Sequence, residues 1–260
     1  MRIATFNVNG IRARANALAD WLDNTKPDVV LLQEIKTIDQ TFPREFIEDR
    51  GYNIALHGQK GFNGVAILSK YSIEDISIGL PGNEGDEQAR WIEATITFET
   101  KPIRICCLYA PNGNPTPGAK YDYKLEWMEH MYSHAKNLLK NEIPIIMAGD
   151  YNVIPSDIDA ADPIRWKGDA LFLPETKAAF RKIINLGYSD SFREIYGPIE
   201  QYTFWDYQAG AWNRNDGIRI DHFLINSFCA DLLADCKIDS EIRGHASPSD
   251  HVPIWIELSN

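Results

Sequence analysis

Short apolar runs rich in β-branched residues recur along the whole chain. They are IATFNV (3–8), VVLLQE (29–34), VAILS (65–69), WIEATITF (91–98), IRICCLYA (103–110), IPIIMAG (143–149), IRIDHFLI (218–225) and VPIWIEL (252–258). Several are nearly continuous in hydrophobicity, as strands covered on both faces are. WIEATITF alternates less cleanly through Trp91, Ala94 and its threonines. Between the runs the period changes to that of helices. In 118–140, Leu125, Met128, Tyr132, Ala135 and Leu139 step by three and four, which predicts the buried face of an amphipathic helix. Ala15, Leu18 and Leu22 do the same in a helix that stops before Pro27, and Ser191 with Glu194 fits a capping box opening a short helix at 191–196.

Nothing divides the chain. APNGNPTPG (110–118) and PGNEGDEQAR (81–90) are too short for linkers and read as loops, and no repeat or low-complexity tract is present. Many strands with several helices in one undivided chain predict a layered α/β sandwich spanning 1–260 as a single domain. With 44% hydrophobic, 24% charged and 11% aromatic residues, the composition is that of an ordinary globular protein. No apolar run approaches a membrane span, and the opening MRIATFNVNG holds no hydrophobic signal segment, which points to a cytoplasmic protein. Cys106, Cys107, Cys229 and Cys236 have no metal-binding spacing and are expected as reduced thiols, with Cys106 and Cys107 on opposite faces of one strand. A net charge of −11 argues against nonspecific coating of nucleic acid, but leaves room for an enzyme that touches a few phosphates through a local basic patch.

The chemistry gathers where the apolar runs end. Asn7 and Asn9 close the first run, Glu34 the second, and Tyr109 the fifth, with Asn112 just beyond. Asp150 and Asn152 follow IPIIMAG, Asp221 lies in IRID, and Asp250 with His251 precedes the last run. If these ends converge, the site is anionic and oxygen-rich with one histidine. Carboxylate and amide oxygens are hard ligands suited to Mg²⁺ or Mn²⁺. No HExxH, paired-cysteine, GxSxG, P-loop or GxGxxG pattern is present. Metal-assisted hydrolysis of a phosphate ester is the chemistry these side chains serve best. Other polar residues read as structural: His130 and His134 as a solvated helix face, Asp157, Asp159 and Asp162 as loop acids, and His57, His222 and His245 as residues without an identifiable partner.

Longer blocks then carry a specific resemblance. FNVNGIRAR (6–14), PDVVLLQEIK (27–36), GYNIALHGQKGFNGVAILSK (51–70), YAPNG (109–113), MAGDYNVIPSDID (147–159), FLPETKAAF (172–180), YTFWDYQAG (202–210), RIDHFLIN (219–226) and SPSDHVPIW (247–255) occur in this order across nearly the full chain. The sequence resembles the exonuclease III family of abasic-site endonucleases, in the endonuclease/exonuclease/phosphatase superfamily. The resemblance implies a four-layer α/β sandwich of the deoxyribonuclease I-like kind, two face-to-face mixed β-sheets flanked by helices. It implies cleavage of the phosphodiester 5′ to abasic sites in duplex DNA, with 3′→5′ exonuclease and trimming of blocked 3′ ends, by a monomer associated with the nucleoid.

By the same resemblance Glu34 is a direct Mg²⁺ ligand, with Asn7 and Asp250 close to the metal and Mn²⁺ as the possible substitute. Asp150 orients or deprotonates the attacking water, Asn152 holds the phosphate or that water, and Tyr109 donates to a phosphate oxygen. Asp221 fixes the tautomer of His251, which is expected to be charged near neutral pH. Asn112 and Arg90 are expected to contact substrate. Phe204, Ile218 and Ile220 are expected to line a pocket for a sugar without its base; Ile218 departs from relatives that carry tryptophan there. Arg12, Arg14, Lys36, Lys60, Lys70 and Arg90 are expected to form a basic rim. Two rivals share much of this pattern: a superfamily phosphoesterase acting on phospholipids or inositol phosphates, and a catalytically silent DNA-binding protein. Against the first stand HGQKGFNGVAI and YTFWDYQAG, which match outside the shared chemistry.

Overall fold

In the computed structural model, which describes residues 1–259, successive residues of the apolar runs point to opposite faces and both faces are covered. The elements in chain order are β1 (Arg2–Asn7), α1 (Ala15–Thr25), β2 (Val29–Gln33), α2 (Glu45–Glu48), β3 (Asn53–His57), β4 (Val65–Ser69), β5 (Ile73–Ile78), β6 (Trp91–Phe98), β7 (Lys101–Tyr109), α3 (Ala119–Leu138), β8 (Ile145–Asp150), α4 (Pro174–Ile184), β9 (Ser189–Asp190), α5 (Ser191–Tyr196), β10 (Asp221–Ile225), α6 (Ser227–Ala230), β11 (Leu233–Ile238) and β12 (Ile254–Leu258). They build two six-stranded sheets, ordered β11-β12-β1-β2-β4-β3 and β5-β6-β7-β8-β10-β9.

Parity sorts the core into layers. Ile3, Val29, Leu31, Ile67, Ile105, Ile146 and Phe223 meet between the two sheets. Their alternates Ala4, Val30, Leu32 and Leu68 pack outward against Leu18, Trp21 and Leu22 of α1. Cys106, Leu108, Ile145 and Met147 pack outward from the second sheet against α3 and α4. The predicted four-layer α/β sandwich is the observed one. Each fully buried aliphatic or aromatic side chain contributes roughly 1.5–3 kcal/mol, so both inner and outer faces matter to stability.

Four strands were not legible as apolar runs. β5 (IEDISI) is an edge strand with mostly exposed residues, and β3, β9 and β11 are short or carry Asn, Asp and Lys on an open face. Edge strands need little apolar character, so a hydrophobicity pattern passes over them. The run 218–225 becomes a strand only from Asp221; Ile218 forms isolated bridges with Ala160 and Phe204 instead. In α3 the buried stripe is Tyr121, Lys124, Trp127, Met128, Met131, Ala135 and Leu138, so Leu125, Tyr132 and Leu139 lie at its margin. The cap of α5 is Asp190, whose carboxylate accepts from Phe192 N, while Ser191 Oγ donates to Phe223 O. All four cysteines are free and buried, with Cys106 and Cys107 in different layers, as expected.

The two sheets share one pairing pattern, and that pattern builds the site. β1 and β2 are parallel, as are β7 and β8, and every other pairing is antiparallel. Each parallel pair therefore ends at the same edge, where ligands of α/β sheets collect. Gly149 permits the approach of β8 to β7: a Cβ there would stand 1.9 Å from the Leu108 carbonyl oxygen.

Candidate active site

Tyr109 pairs in register with Asp150 across β7 and β8, and Asp150 pairs with Asp221 across β8 and β10. On the other sheet Asn7 pairs with Gln33, so Glu34 follows immediately beyond. The Asn7 amide joins the sheets: its Nδ2 donates to Glu34 Oε1 at 2.9 Å and to Asp150 Oδ2 at 3.0 Å. Its Oδ1 accepts from Asn9 N, so as placed Asn7 gathers the carboxylates and does not present its own oxygen to them. Glu34 also pairs with Lys36 at 2.9 Å, and Lys36 donates to Asn9 Oδ1. Glu34, Asn9, Lys36 and Asn152 all take left-handed backbone conformations, with φ between 43° and 54°. Non-glycine residues adopt that region at a cost, and such strain gathers where side chains must be aimed.

His251 stands at the centre. Its Nδ1 bonds Asp221 Oδ2 at 2.8 Å, and its Nε2 lies 3.6 Å from Asp150 Oδ2. Burial disfavours the charged imidazole, but Asp221 and Asp150 outweigh it and raise the His251 pKa. For Asp150, burial raises the carboxyl pKa, with Asp221 and Glu34 adding to it and His251 opposing. Burial also raises Glu34, yet the Asn7 amide and Lys36 ammonium more than reverse that and hold it low. One proton is thus kept on the imidazole between two acids. Asp221 Oδ1 is buried with no hydrogen-bond partner among the described residues.

The cleft here has a volume of ≈ 240 Å³. Glu34, Tyr109, Asp150, Asn152, Asp250 and His251 face it, as do Asn112, Phe204, Ile218 and Ile220. Ten of the thirteen residues singled out from sequence therefore share one wall or another. Asn7 and Asp221 lie buried behind this surface, holding Asp150 and His251. Arg90 does not line the cleft: its guanidinium stacks on the Tyr109 ring at 4.9 Å and donates to Tyr109 O and Gln88. Asp250 lines the cleft, but its Oδ1 is held by Asn9 Nδ2 at 3.0 Å. Lys70 is misplaced as a rim residue: it follows Ser69, which pairs with Val29 at the far end of the sheet, and donates to Lys26 O.

Glu34, Asp150 and His251 offer donor atoms within 4.8 Å of one another, the acidic grouping that could hold a metal ion. Charge supports the fit. Four carboxyl groups (Glu34, Asp150, Asp221, Asp250) gather with two cationic groups (His251, Lys36), an acidic excess of the kind a divalent cation offsets. The oxygen donors suit a hard ion.

Apolar walls complete the cleft on one side. Phe204 packs edge-on against His251 at 5.0 Å, and Ile218 and Ile220 are almost fully buried beside it. Trp166 and Leu171, from the loop before α4, line the same recess and carried no signal in the sequence pattern. The walls are anchored by buried ions. Asp159 is no solvated loop acid but is buried, and it accepts from Arg219 Nε at 2.6 Å and Arg193 Nη2 at 2.5 Å. Arg219, between Ile218 and Ile220, reaches Asp190 as well. His222 also has partners: Nδ1 accepts from Arg219 at 2.9 Å and Nε2 donates to Val153 O at 2.9 Å. His134, expected in solvent, bonds the buried Glu93 at 2.6 Å.

Those partners fix His222 as the neutral Nε2–H tautomer, and burial with the Arg219 charge lowers its pKa from 6.5 to about 4. Between those pH values the unfolded chain binds a proton that the folded chain refuses. The contribution of this group is therefore whole above pH 6.5 and is lost as pH falls towards 4, about 3 kcal/mol in all. Urea unfolding of wild type and His222→Gln from pH 7 to 4 tests this: the stability gap should close as pH falls. A gap independent of pH would refute the neutral assignment.

The sequence profile of the Endonuclease/Exonuclease/phosphatase family matches residues 4–251. The chain belongs to this family. Within the endonuclease/exonuclease/phosphatase family it is similar to an exodeoxyribonuclease III of Haemophilus influenzae, 35% identical, covering 99% of this chain and 100% of that one. Among solved structures it is similar to an AP endonuclease from Archaeoglobus fulgidus, 36% identical with a TM-score of 0.94 and full coverage of both chains. A 3′ phosphatase from Neisseria bound to product DNA hairpin superposes with a TM-score of 0.96 at 31% identity, again over 100% of each chain. Among the described residues, no helix is long and apolar enough to cross a membrane.

Proposed function

We propose that this protein is a DNA-repair hydrolase that cuts the phosphodiester 5′ to abasic sites in duplex DNA and trims blocked 3′ ends, acting as a single-domain monomer on the cytoplasmic nucleoid. The observation that carries the reading is the junction of two unlike surfaces in one cleft. A charged chain of Asp221, His251, Asp150 and Glu34 abuts an apolar recess walled by Phe204, Ile218 and Ile220. The names of the relatives, exodeoxyribonuclease III and AP endonuclease, support the same substrate.

Glu34 and Asp150 would hold Mg²⁺ or Mn²⁺, with Asn7 and Asp250 alongside, and the bound ion supplies Lewis-acid stabilisation of phosphate charge. The chain's own groups do the rest. Asp150, fixed by Asn7 and by the Asn152 backbone N–H at 2.9 Å, orients or deprotonates the attacking water. His251, kept protonated by Asp221, offsets charge on the phosphate oxygens. Burial, then Glu34 and Asp150, holds the Tyr109 hydroxyl well above its usual pKa, so it remains a donor for a phosphate oxygen. Arg90 acts through the ring it covers, and Asn112 faces the substrate from the cleft wall. An abasic sugar fits the recess, whereas a base meets Phe204 and the isoleucines.

Parallel assays on an abasic duplex, an unmodified duplex and phosphoinositide vesicles test the substrate class. Incision of the abasic duplex alone is expected. Hydrolysis confined to the phosphoinositide would overturn the reading, and tight DNA binding without any cleavage would favour a silent binding protein.

A further inference from the structure

We propose that Lys124 is a positioning residue for this site: its ammonium, sealed under the cleft, ties the loop carrying Asn112 to the loop carrying Asn152. The proposal rests on the reading of the cleft as a phosphodiester-cleaving centre. Lys124 lies midway along α3 in the row of Tyr121, Trp127 and Met128, with no exposed surface. Lysine is almost never fully buried unless its charge is met. Yet among the described residues no carboxylate accepts from it. Its Nζ donates to two backbone carbonyls, Asn112 O at 3.1 Å and Asn152 O at 2.5 Å.

Those carbonyls belong to the ends of neighbouring strands. Asn112 follows β7 and Asn152 follows β8, and both side chains face the cleft. The loops already touch above the lysine, through Asn112 Nδ2 to Asn152 Oδ1 at 3.2 Å and Asn152 Nδ2 to Ala110 O at 2.9 Å. Below, among the described residues, Lys124 bridges them from a third element. Asn152 holds a left-handed backbone at φ 50°, which Lys124 stabilises by donating to its inward-turned carbonyl. The fit is close on the other loop too: a Cβ on Gly113 would come within 2.7 Å of Lys124 Cδ.

Packing alone gives no reason for a cation here. Burial lowers the Lys124 pKa to about 7, against the opposing charges of Asp150 and Asp169 and with Arg90 adding to the effect. A methionine would fill the same space without that cost, as Met128 and Met131 do on the same face. What methionine lacks is a donor for the two carbonyls, of which that of Asn152 would then be left buried and unpaired. The gain from Lys124 is therefore the relative placement of Asn112 and Asn152.

Lys124→Met in the full chain tests this, with kcat and KM on an abasic duplex, amide hydrogen exchange of 109–114 and 150–154, and thermal unfolding. A misplacement near 1 Å commonly costs roughly 10²-fold in rate, so kcat should fall by about that factor at nearly unchanged KM. Exchange in both loops should rise while β7 and β8 stay protected. Lys124→Gln, which keeps one donor, should recover part of both. Wild-type kcat per folded molecule, with both loops protected as before, would overturn the proposal even if the variant melted earlier. If Lys124→Met does not fold, Lys124→Gln is read alone, and wild-type values for kcat and loop exchange refute the clamp. A wild type inert on abasic DNA would sink the functional reading instead, and the exchange data would still decide whether Lys124 ties the loops.

Discussion

Asp150→Asn is expected to lower the rate of abasic-site incision by about 10³-fold with DNA affinity near that of wild type. The substitution preserves shape, so packing around this almost fully buried residue survives. What changes is charge and hydrogen-bond sense. Asp150 Oδ2 accepts from Asn7 and stands 3.6 Å from His251 Nε2, while Oδ1 accepts from Asn152 N. An amide can serve only one of these contacts as an acceptor; its nitrogen would oppose another donor. It can neither deprotonate water nor hold a cation with full charge. The remaining Asp221 still keeps His251 protonated, which is why binding should persist while turnover fails. Single-turnover incision and fluorescence anisotropy, run on the same labelled duplex, separate the two quantities. A rate within tenfold of wild type would remove Asp150 from the catalytic centre.

Arg219→Met should cost roughly 3–5 kcal/mol of stability, the largest loss expected from any single ion-pair change in the protein. Arg219 is fully buried and satisfies Asp159, Asp190 and His222 at once. Removing it leaves the buried Asp159 and the partly buried Asp190 each short of a partner, which is far more costly than losing a contact in solvent. Lys182→Met provides the contrast, because Lys182 and Glu129 are each about half exposed and their pairing contributes at most about 1 kcal/mol. Urea denaturation at pH 7 measures both. The same variant reaches the site, since Ile218 and Ile220 flank Arg219 in sequence and line the recess. Equal destabilisation by the two substitutions would mean the buried network is not what anchors that wall.

How much of this was legible in the chain follows from what each signal encodes. Strands buried on both faces announced themselves, because VVLL and IIMAG must be apolar at every position before their polar ends. Polar residues at their ends were conspicuous for the same reason, and Glu34, Asp150, Asn152, Tyr109 and His251 do meet. Edge strands stayed hidden since one open side relaxes their composition. Residues that act on the far side of a contact were harder still. Lys124 looks in sequence like any helix lysine, Asp159 like a loop acid and His222 like a histidine without a partner; only their burial against Asn152, Arg219 and Val153 shows otherwise. Trp166 reaches the recess from a loop whose path no periodicity describes. Arg90, conversely, lay beside the right motif but turns onto the Tyr109 ring.

The central claim is that these strand ends form one metal-assisted centre for cutting DNA at a missing base. It is tested most directly by a 5′-labelled duplex bearing a single stable abasic analogue, incubated with the wild-type protein in Mg²⁺ or in EDTA. The account predicts one cut immediately 5′ to the lesion in Mg²⁺ and an intact strand in EDTA. An intact strand in both, with binding plainly measurable, would contradict it.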